Sequence, residues 1–339
     1  MNGNTDLDPT LLSAILDACV AAAHVGEGVI REGAARLGSL EWQTKGPADY
    51  VTEIDTSSEA AIRDCIQTTL RPHLGTVPVL GEESWNGGDI PSGLCFVVDP
   101  LDGTTNFLHG VPAYAVSIAA LHNGEPVVGV VRHAALDETY TAVRGRGAWL
   151  NGTPMRVSSI TEPARALVAT GIPFGGKEDV VRYSRQLVPV AAATAGLRRA
   201  GAAALDLAGV AAGRYEAFWE LQLSPWDIAA GMLMIEEAGG VVTDMLGRRA
   251  NVESSPLVAG SPMMHAWLID TLRSTDESNH ANGNGSHDPR AVAWSSSSVS
   301  RTFPRGARSR LLTRFAIGSR RSRECPSCTL PPTYRIIVP

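Results

Sequence analysis

The chain has 339 residues, 44% of them hydrophobic and 19% charged, with a formal net charge of −6. That composition belongs to a globular protein with enough apolar material for a sizeable core, and its acidity argues against a nucleic-acid binder overall. No uninterrupted apolar run reaches the roughly 18 residues a membrane span needs. The start MNGNTDLDPT lacks the basic-then-apolar pattern of a secretory signal, and five cysteines without framework spacing suggest reduced thiols and a cytoplasmic setting.

In chain order, apolar residues at helical spacing predict a long helix over Pro9 to Ala35 and a second from Thr56 to Leu70, whose Thr/Ser-rich start suits capping. Short strands are predicted at Val77–Leu80, Leu94–Val98, Ala115–Leu121, Val127–Arg132, Tyr140–Val143 and Trp149–Leu150. The second half alternates. Strands are predicted at Ala166–Thr170, Ala217–Glu220 and Val241–Thr243, and helices at Val180–Ala195, Gly201–Ala212 and Ser224–Ala238. Mixed strand and helix layers place the chain in the α/β or α+β class, with residues 1–270 as one body whose lobes divide near 150. From residue 271 onward Ser, Arg, Pro, Gly and Asn dominate, a composition that cannot bury enough apolar surface to fold, so 271–339 is expected to be a disordered tail. From Thr275 on, ten arginines face four acidic residues, which makes the tail basic and the body strongly acidic.

Acidic residues cluster at the ends of the predicted elements. Asp55 closes TEID, Glu82 and Glu83 follow VPVLG, Asp99 and Asp102 follow LCFVV, and Asp227 sits in SPWDIAAG. Each has a plain structural explanation. Ser224, Pro225 and Asp227 read as a capping box, Asp55 as a helix-start carboxylate, and the glutamate pair as a solvated turn. Together they suggest more, because strand ends are where open sheets assemble ligand sites. Carboxylates converging there repel one another unless cations intervene. With no His or Cys cluster nearby, the donors point to a hard, oxygen-seeking ion, chiefly magnesium. In Asp99-Pro-Leu-Asp102, the rigid proline can turn the Leu101 carbonyl inward as a further oxygen. Gly103, Thr104 and Thr105 open what reads as a helix, whose N–H groups form an anion cradle. Cations on one side and amides on the other describe a phosphate site.

The strings DPLDGTTNF (99–107), GEES (81–84), WDIAAGMLMIEEAGG (226–240), DYVTEID (49–55) and RRAGAAALDLAGVAAGRYEAFWE (198–220) resemble the inositol monophosphatase family over nearly all of residues 10–270. The resemblance implies a layered αβαβα sandwich, a homodimer, and lithium-sensitive phosphoric-monoester hydrolysis. The implied cofactor is two or three magnesium ions, with manganese as a substitute. It assigns metal ligation to Glu82, Asp99, the Leu101 carbonyl, Asp102 and Asp227, and water activation to Asp55 and Thr104, with Glu82 among the catalytic set. Gly103, Thr104 and Thr105 would hold phosphate, while Gly201, Ala202, Glu220 and Asp227 would contact the substrate. Glu83 falls on a supporting position and Lys45 near the family's flexible lysine. Glu220 favours inositol 1-phosphate as substrate. Alternatives are fructose 1,6-bisphosphate, histidinol phosphate, a 3′-phosphoadenosine nucleotide, or an RNA-associated regulatory role contacting RNA through the tail.

Gly171-I-P-F-G-G-Lys177 has P-loop spacing, but Glu178 stands where Ser or Thr must hold magnesium, so a glycine-rich surface loop is the reading. His109 reads as a loop histidine outside the site, and Trp219 and Trp226 as packing residues beside the cleft.

Overall fold

The computed structural model describes residues 7–46, 49–173 and 177–282. The tail expected to be disordered lies, from residue 283 on, outside the described residues. In chain order the elements are α1 (Pro9–Ala34), β1 (Gln43–Gly46), β2 (Asp49–Val51), α2 (Glu53–Leu74), β3 (Val79–Gly81), β4 (Leu94–Asp102) and α3 (Thr104–Leu108). Next come β5 (Ala115–His122), β6 (Glu125–His133), β7 (Glu138–Val143), β8 (Gly147–Leu150), β9 (Thr153–Pro154), β10 (Leu167–Thr170) and α4 (Lys177–Ala193). The last are β11 (Gly196–Arg198), α5 (Ala203–Ala211), β12 (Ala217–Glu220), α6 (Pro225–Glu237), β13 (Val241–Asp244), β14 (Leu257–Gly260) and α7 (Pro262–Asn282).

Among the described residues, β3 to β9 form a seven-stranded sheet in sequential order, antiparallel except for the parallel β3–β4 pair. A second sheet has the order β11-β10-β12-β14-β13, parallel on one side of β12 and antiparallel on the other. Helices α1 and α2 cover one face of the first sheet, α5 and α6 fill the space between the sheets, and α4 and α7 back the second. The result is an αβαβα sandwich. The period-2 alternation of strands builds it directly. On β4, Phe96 and Val98 enter the core beneath α2, whereas Cys95 and Val97 join the core around α6. On β12, Phe218 faces that central core, while Ala217 and Trp219 pack in the outer layer with Tyr183 and Leu268.

Several boundaries differ from the sequence expectations. α2 starts at Glu53 rather than Thr56, because Thr52 caps it and Asp55, inside its first turn, closes the capping box. β4 runs on through Asp102 instead of ending at Val98. α7 passes residue 270 and buries Leu272 against the second sheet before ending at Asn282, so the compositional break at 271 is not a structural one. Among the described residues α1 is long and apolar enough to cross a membrane by length and composition alone, although Asp17, His24 and Glu27 interrupt its apolar run. Its apolar side enters the core through Ile15, Cys19, Ala22 and Ile30, and its Glu27 is buried in a bidentate pair with Arg132 of β6.

Candidate active site

The carboxyl ends of β3, β4, β10 and β12, with the amino ends of α2, α3, α5 and α6, carry the candidate residues. β4 explains the odd D-x-x-D. In a regular strand, residues three apart point to opposite faces. Here Asp99 pairs with Ser117 and Asp102 with Ala115, so β4 contains one residue more than β5 over this interval. That bulge returns Asp102 to the face Asp99 already occupies. Leu101 is left to the core beneath α2, and Asp102 reaches across to accept a hydrogen bond from the Ala204 amide at 2.8 Å, at the start of α5.

Gly103 follows with φ +89° and starts α3; a Cβ there would stand 2.8 Å from the Ala113 carbonyl oxygen. The first-turn amides of a helix have no intrahelical acceptor, so Thr104 and Thr105 present N–H groups for an outside one. The Thr104 hydroxyl is 2.8 Å from Asp55 Oδ1 and 3.0 Å from the Leu101 carbonyl oxygen. Asp55 is fixed through its other oxygen, which accepts from the Thr52 amide at 2.9 Å and the Thr52 hydroxyl at 2.7 Å. Burial pushes the Asp55 carboxyl up from the usual range, against the pull of those hydroxyl and amide donors. Thr105 is exposed, and its carbonyl lies 2.8 Å from His109 Nδ1.

Glu82 follows β3, and its amide extends the ladder by donating to the Val98 carbonyl. The turn that presents it is held from beneath by a residue the sequence did not reveal. Glu59 of α2 is 3% exposed, accepts the Glu83 amide at 2.7 Å, and pairs at 2.8 Å with Arg63, which also reaches the Ser84 hydroxyl. Gly81 leaves room for that carboxylate, which would otherwise sit about 2.1 Å from a Cβ.

The second half supplies the opposite wall. The Ser224 amide donates to Asp227 Oδ2 at 2.7 Å, so the capping box is present and Asp227 stands in the first turn of α6. Asn106 ties the two walls together, donating to the carbonyls of Ala113, Ala200 and Gly201. A cavity of about 640 Å3 lies between them, lined among others by Glu82, Asp102, Gly201, Ala202, Glu220 and Asp227. Two further cavity residues, Arg199 and Asp206, escaped sequence reading. Gly171, read as part of a surface loop, is buried instead: a Cβ there would collide with the Glu220 carboxylate. Trp219 is fully buried and stacks on Tyr183, whereas Trp226 lines the cavity while its carbonyl accepts from Ser117. His109 is exposed and touches Trp42 edge to face. The side chain of Lys45 lies outside the described residues.

The electrostatics show the convergence. Asp99, 2% exposed, is held well above the usual carboxylate range by burial first, and then by the charges of Glu82, Asp102 and Asp227, which arrive from three different elements. Burial pushes Asp102 up to about 7, opposed by the Ala204 amide and reinforced by Glu82. Glu220 is raised by burial and then by Asp227, Asp206 and Asp102. Among the described residues no three acidic, His or Cys side chains already stand at metal-ligating distance from one point; Asp102 and Asp227 are turned instead to backbone amides. The donor set is nonetheless all oxygen, and clustered, buried negative charge of this kind is stabilised by a hard cation.

The family model described as the inositol monophosphatase family matches residues 11–277. The chain belongs to that family. Its relatives match over most of their own length. A Pseudomonas aeruginosa protein named Nus factor SuhB is 43% identical over 257 residues, 75% of this chain and 93% of its own. An inositol-1-monophosphatase from Rhizobium meliloti is 42% identical over 261 residues, 77% of this chain and 97% of its own. The crystal structure of the extragenic suppressor protein suhB from Bartonella henselae superposes with a TM-score of 0.69 at 38% identity, covering 77% of this chain and 98% of that one. The family match places the chain in a family of phosphatases and leaves its particular ester open.

Proposed function

We propose that the chain is a magnesium-dependent phosphomonoesterase that releases phosphate from inositol 1-phosphate. Glu82, Asp99, the Leu101 carbonyl, Asp102 and Asp227 would hold the ions, with manganese as a substitute, since every donor is a hard oxygen. Bound there, the ions would supply Lewis-acid stabilisation of phosphate charge and lower the pKa of water. The chain's own residues do the rest. The Thr104 hydroxyl, donating to Asp55, keeps lone pairs with which to orient an attacking water, and Asp55 is placed to receive the proton relayed through that hydroxyl. Thr52 holds Asp55 in that orientation. The amides of Thr104 and Thr105 face phosphate oxygens, with Gly103 contributing close backbone approach. Gly201, Ala202 and Glu220 receive the alcohol.

The bulge that turns Asp99 and Asp102 to one face, where Glu82 and Asp227 bear on Asp99, carries this reading. The experiment is phosphate release from myo-inositol 1-phosphate with magnesium, for the wild type and Asp99→Asn. Turnover should require the ion and nearly vanish in the variant; release that ignores both overturns the assignment.

A second reading is favoured by the Nus-factor name of the 43%-identical relative: an RNA-associated regulatory role. RNA binding that survives Asp99→Asn and disappears on removal of residues 283–339 would support it.

A further inference from the structure

The cavity contains one carboxylate that neither the proposed metal set nor the proposed alcohol contacts use. Asp206 of α5 is 2% exposed and lines the cavity, and its Oδ1 has no hydrogen-bond partner among the described residues. A buried acceptor left unpaired is costly and calls for a polar group from elsewhere. Glu220, 8% exposed, lines the same cavity and lies within electrostatic reach of Asp206. The exposed Arg199 lines it too, and its charge bears on both carboxylates.

We propose that Asp206 is a specificity-determining residue, forming with Glu220 an acceptor floor that takes hydroxyls of an uncharged polyol monophosphate and disfavours esters with a second anionic group. This deepens the phosphatase reading and rests on it. The unpaired Asp206 Oδ1 is an acceptor, so its natural partner is a donor, which a polyol offers on adjacent carbons. A second phosphate, itself rich in acceptors, would enter beside two buried carboxyls in a low-dielectric recess. Sites built around hydroxyl donors reject analogues lacking them, since their buried acceptors are then left unpaired.

The test measures kcat and KM of the full chain in magnesium for myo-inositol 1-phosphate and for 4-nitrophenyl phosphate, which has no hydroxyl to offer. Asp206→Ala should raise KM for the inositol ester about tenfold while kcat, and the aryl ester's kcat/KM, stay within about twofold. Equal losses on both esters, or no change on either, overturn the proposal. Asp206→Asn keeps the shape and answers should the alanine variant fail to fold. Removing the charge should raise kcat/KM for fructose 1,6-bisphosphate relative to inositol 1-phosphate by at least about threefold, and an unmoved ratio counts against Asp206. A wild type that cleaves no ester brings down the phosphatase reading and this inference with it, whereas an active wild type with unmoved ratios sinks the inference alone.

Discussion

Gly103 shows how far one backbone position governs the site. Its φ of +89° and the 2.8 Å approach of a would-be Cβ to the Ala113 carbonyl oxygen leave no room for a side chain. Gly103→Ala should therefore lose at least about 1–2 kcal/mol in urea unfolding, and turnover should fall with it because Thr104 is the next residue. An unchanged midpoint would refute this account. The residues legible from sequence were those whose type and spacing are fixed within one string, such as Asp99, Asp102 and Thr104. Glu59 was not legible, because a Glu four positions before an Arg on a helix reads as a solvated pair. Only the tertiary fold sets it under the turn that presents Glu82. Asn106 lay inside a recognised string, yet its role is to bind carbonyls nearly a hundred residues away. Asp206 is a lone acidic position in a small-residue helix, and nothing in the local string marks it as facing a cavity.

Helix α1 is clamped to β6 by Glu27 and Arg132, whose side chains are 6% and 4% exposed. Breaking a buried pair costs about 3–5 kcal/mol when it strands a charge, and Arg132 keeps Asp137 and Thr139, so Glu27→Ala should fall at or below the lower end of that range. Adding Arg132→Met should recover part of that loss in urea titrations, and a double variant as weak as the sum of the singles would contradict the pairing. A more exposed pair joins β7 to the turn after α5. The Arg214 hydrogen bond holds Glu138 down to about 2 from an ordinary 4.5. The folded value lies below the unfolded one, so this stabilisation is present above about pH 4.5 and is lost as pH falls toward about 2. Arg214→Met should flatten that acid limb of the melting-temperature profile; an unaltered limb would rule the pair out as its source. Elements with strong period, such as α1, β5, β6, β12 and α6, were legible. The β1–β2 hairpin was not, because QTKG and DYV alternate weakly, nor was β14, a four-residue apolar run that periodicity cannot distinguish from a helix fragment. α7 runs out into a polar stretch, and its buried Met264, Leu268 and Leu272 stand out only once a sheet lies beneath them.

At the scale of the molecule, the proposed ligands come from both halves of the chain, with Glu82, Asp99 and Asp102 on the first sheet's side and Asp227 on α6 between the sheets. Ion binding should then stabilise the whole sandwich, by about 2.7 kcal/mol at a hundredfold excess over Kd. Melting temperature at neutral pH should rise with magnesium in the wild type and not in Asp99→Asn. Without magnesium the same variant should melt higher than the wild type, because it removes a buried repulsive charge. A wild type indifferent to the ion would defeat the first expectation, and a variant that melts no higher than the wild type without magnesium would defeat the second. The layer order itself was legible only through family resemblance. Which helices lie between the sheets depends on crossovers such as β10 to β12 by way of α4, β11 and α5, and no local pattern records them.

Because β4 takes in an extra residue beside β5, the stretch 99–102 is protected by its length more than by its letters. Exchanging Leu101 for another hydrophobe of similar size leaves the phase of the chain intact. Pairing the same four residues with β5 without the bulge would restore the simple pleat and drive Asp102 into the oily layer under α2. Variation at this spot should thus be tolerated as spelling and refused as a slip of register.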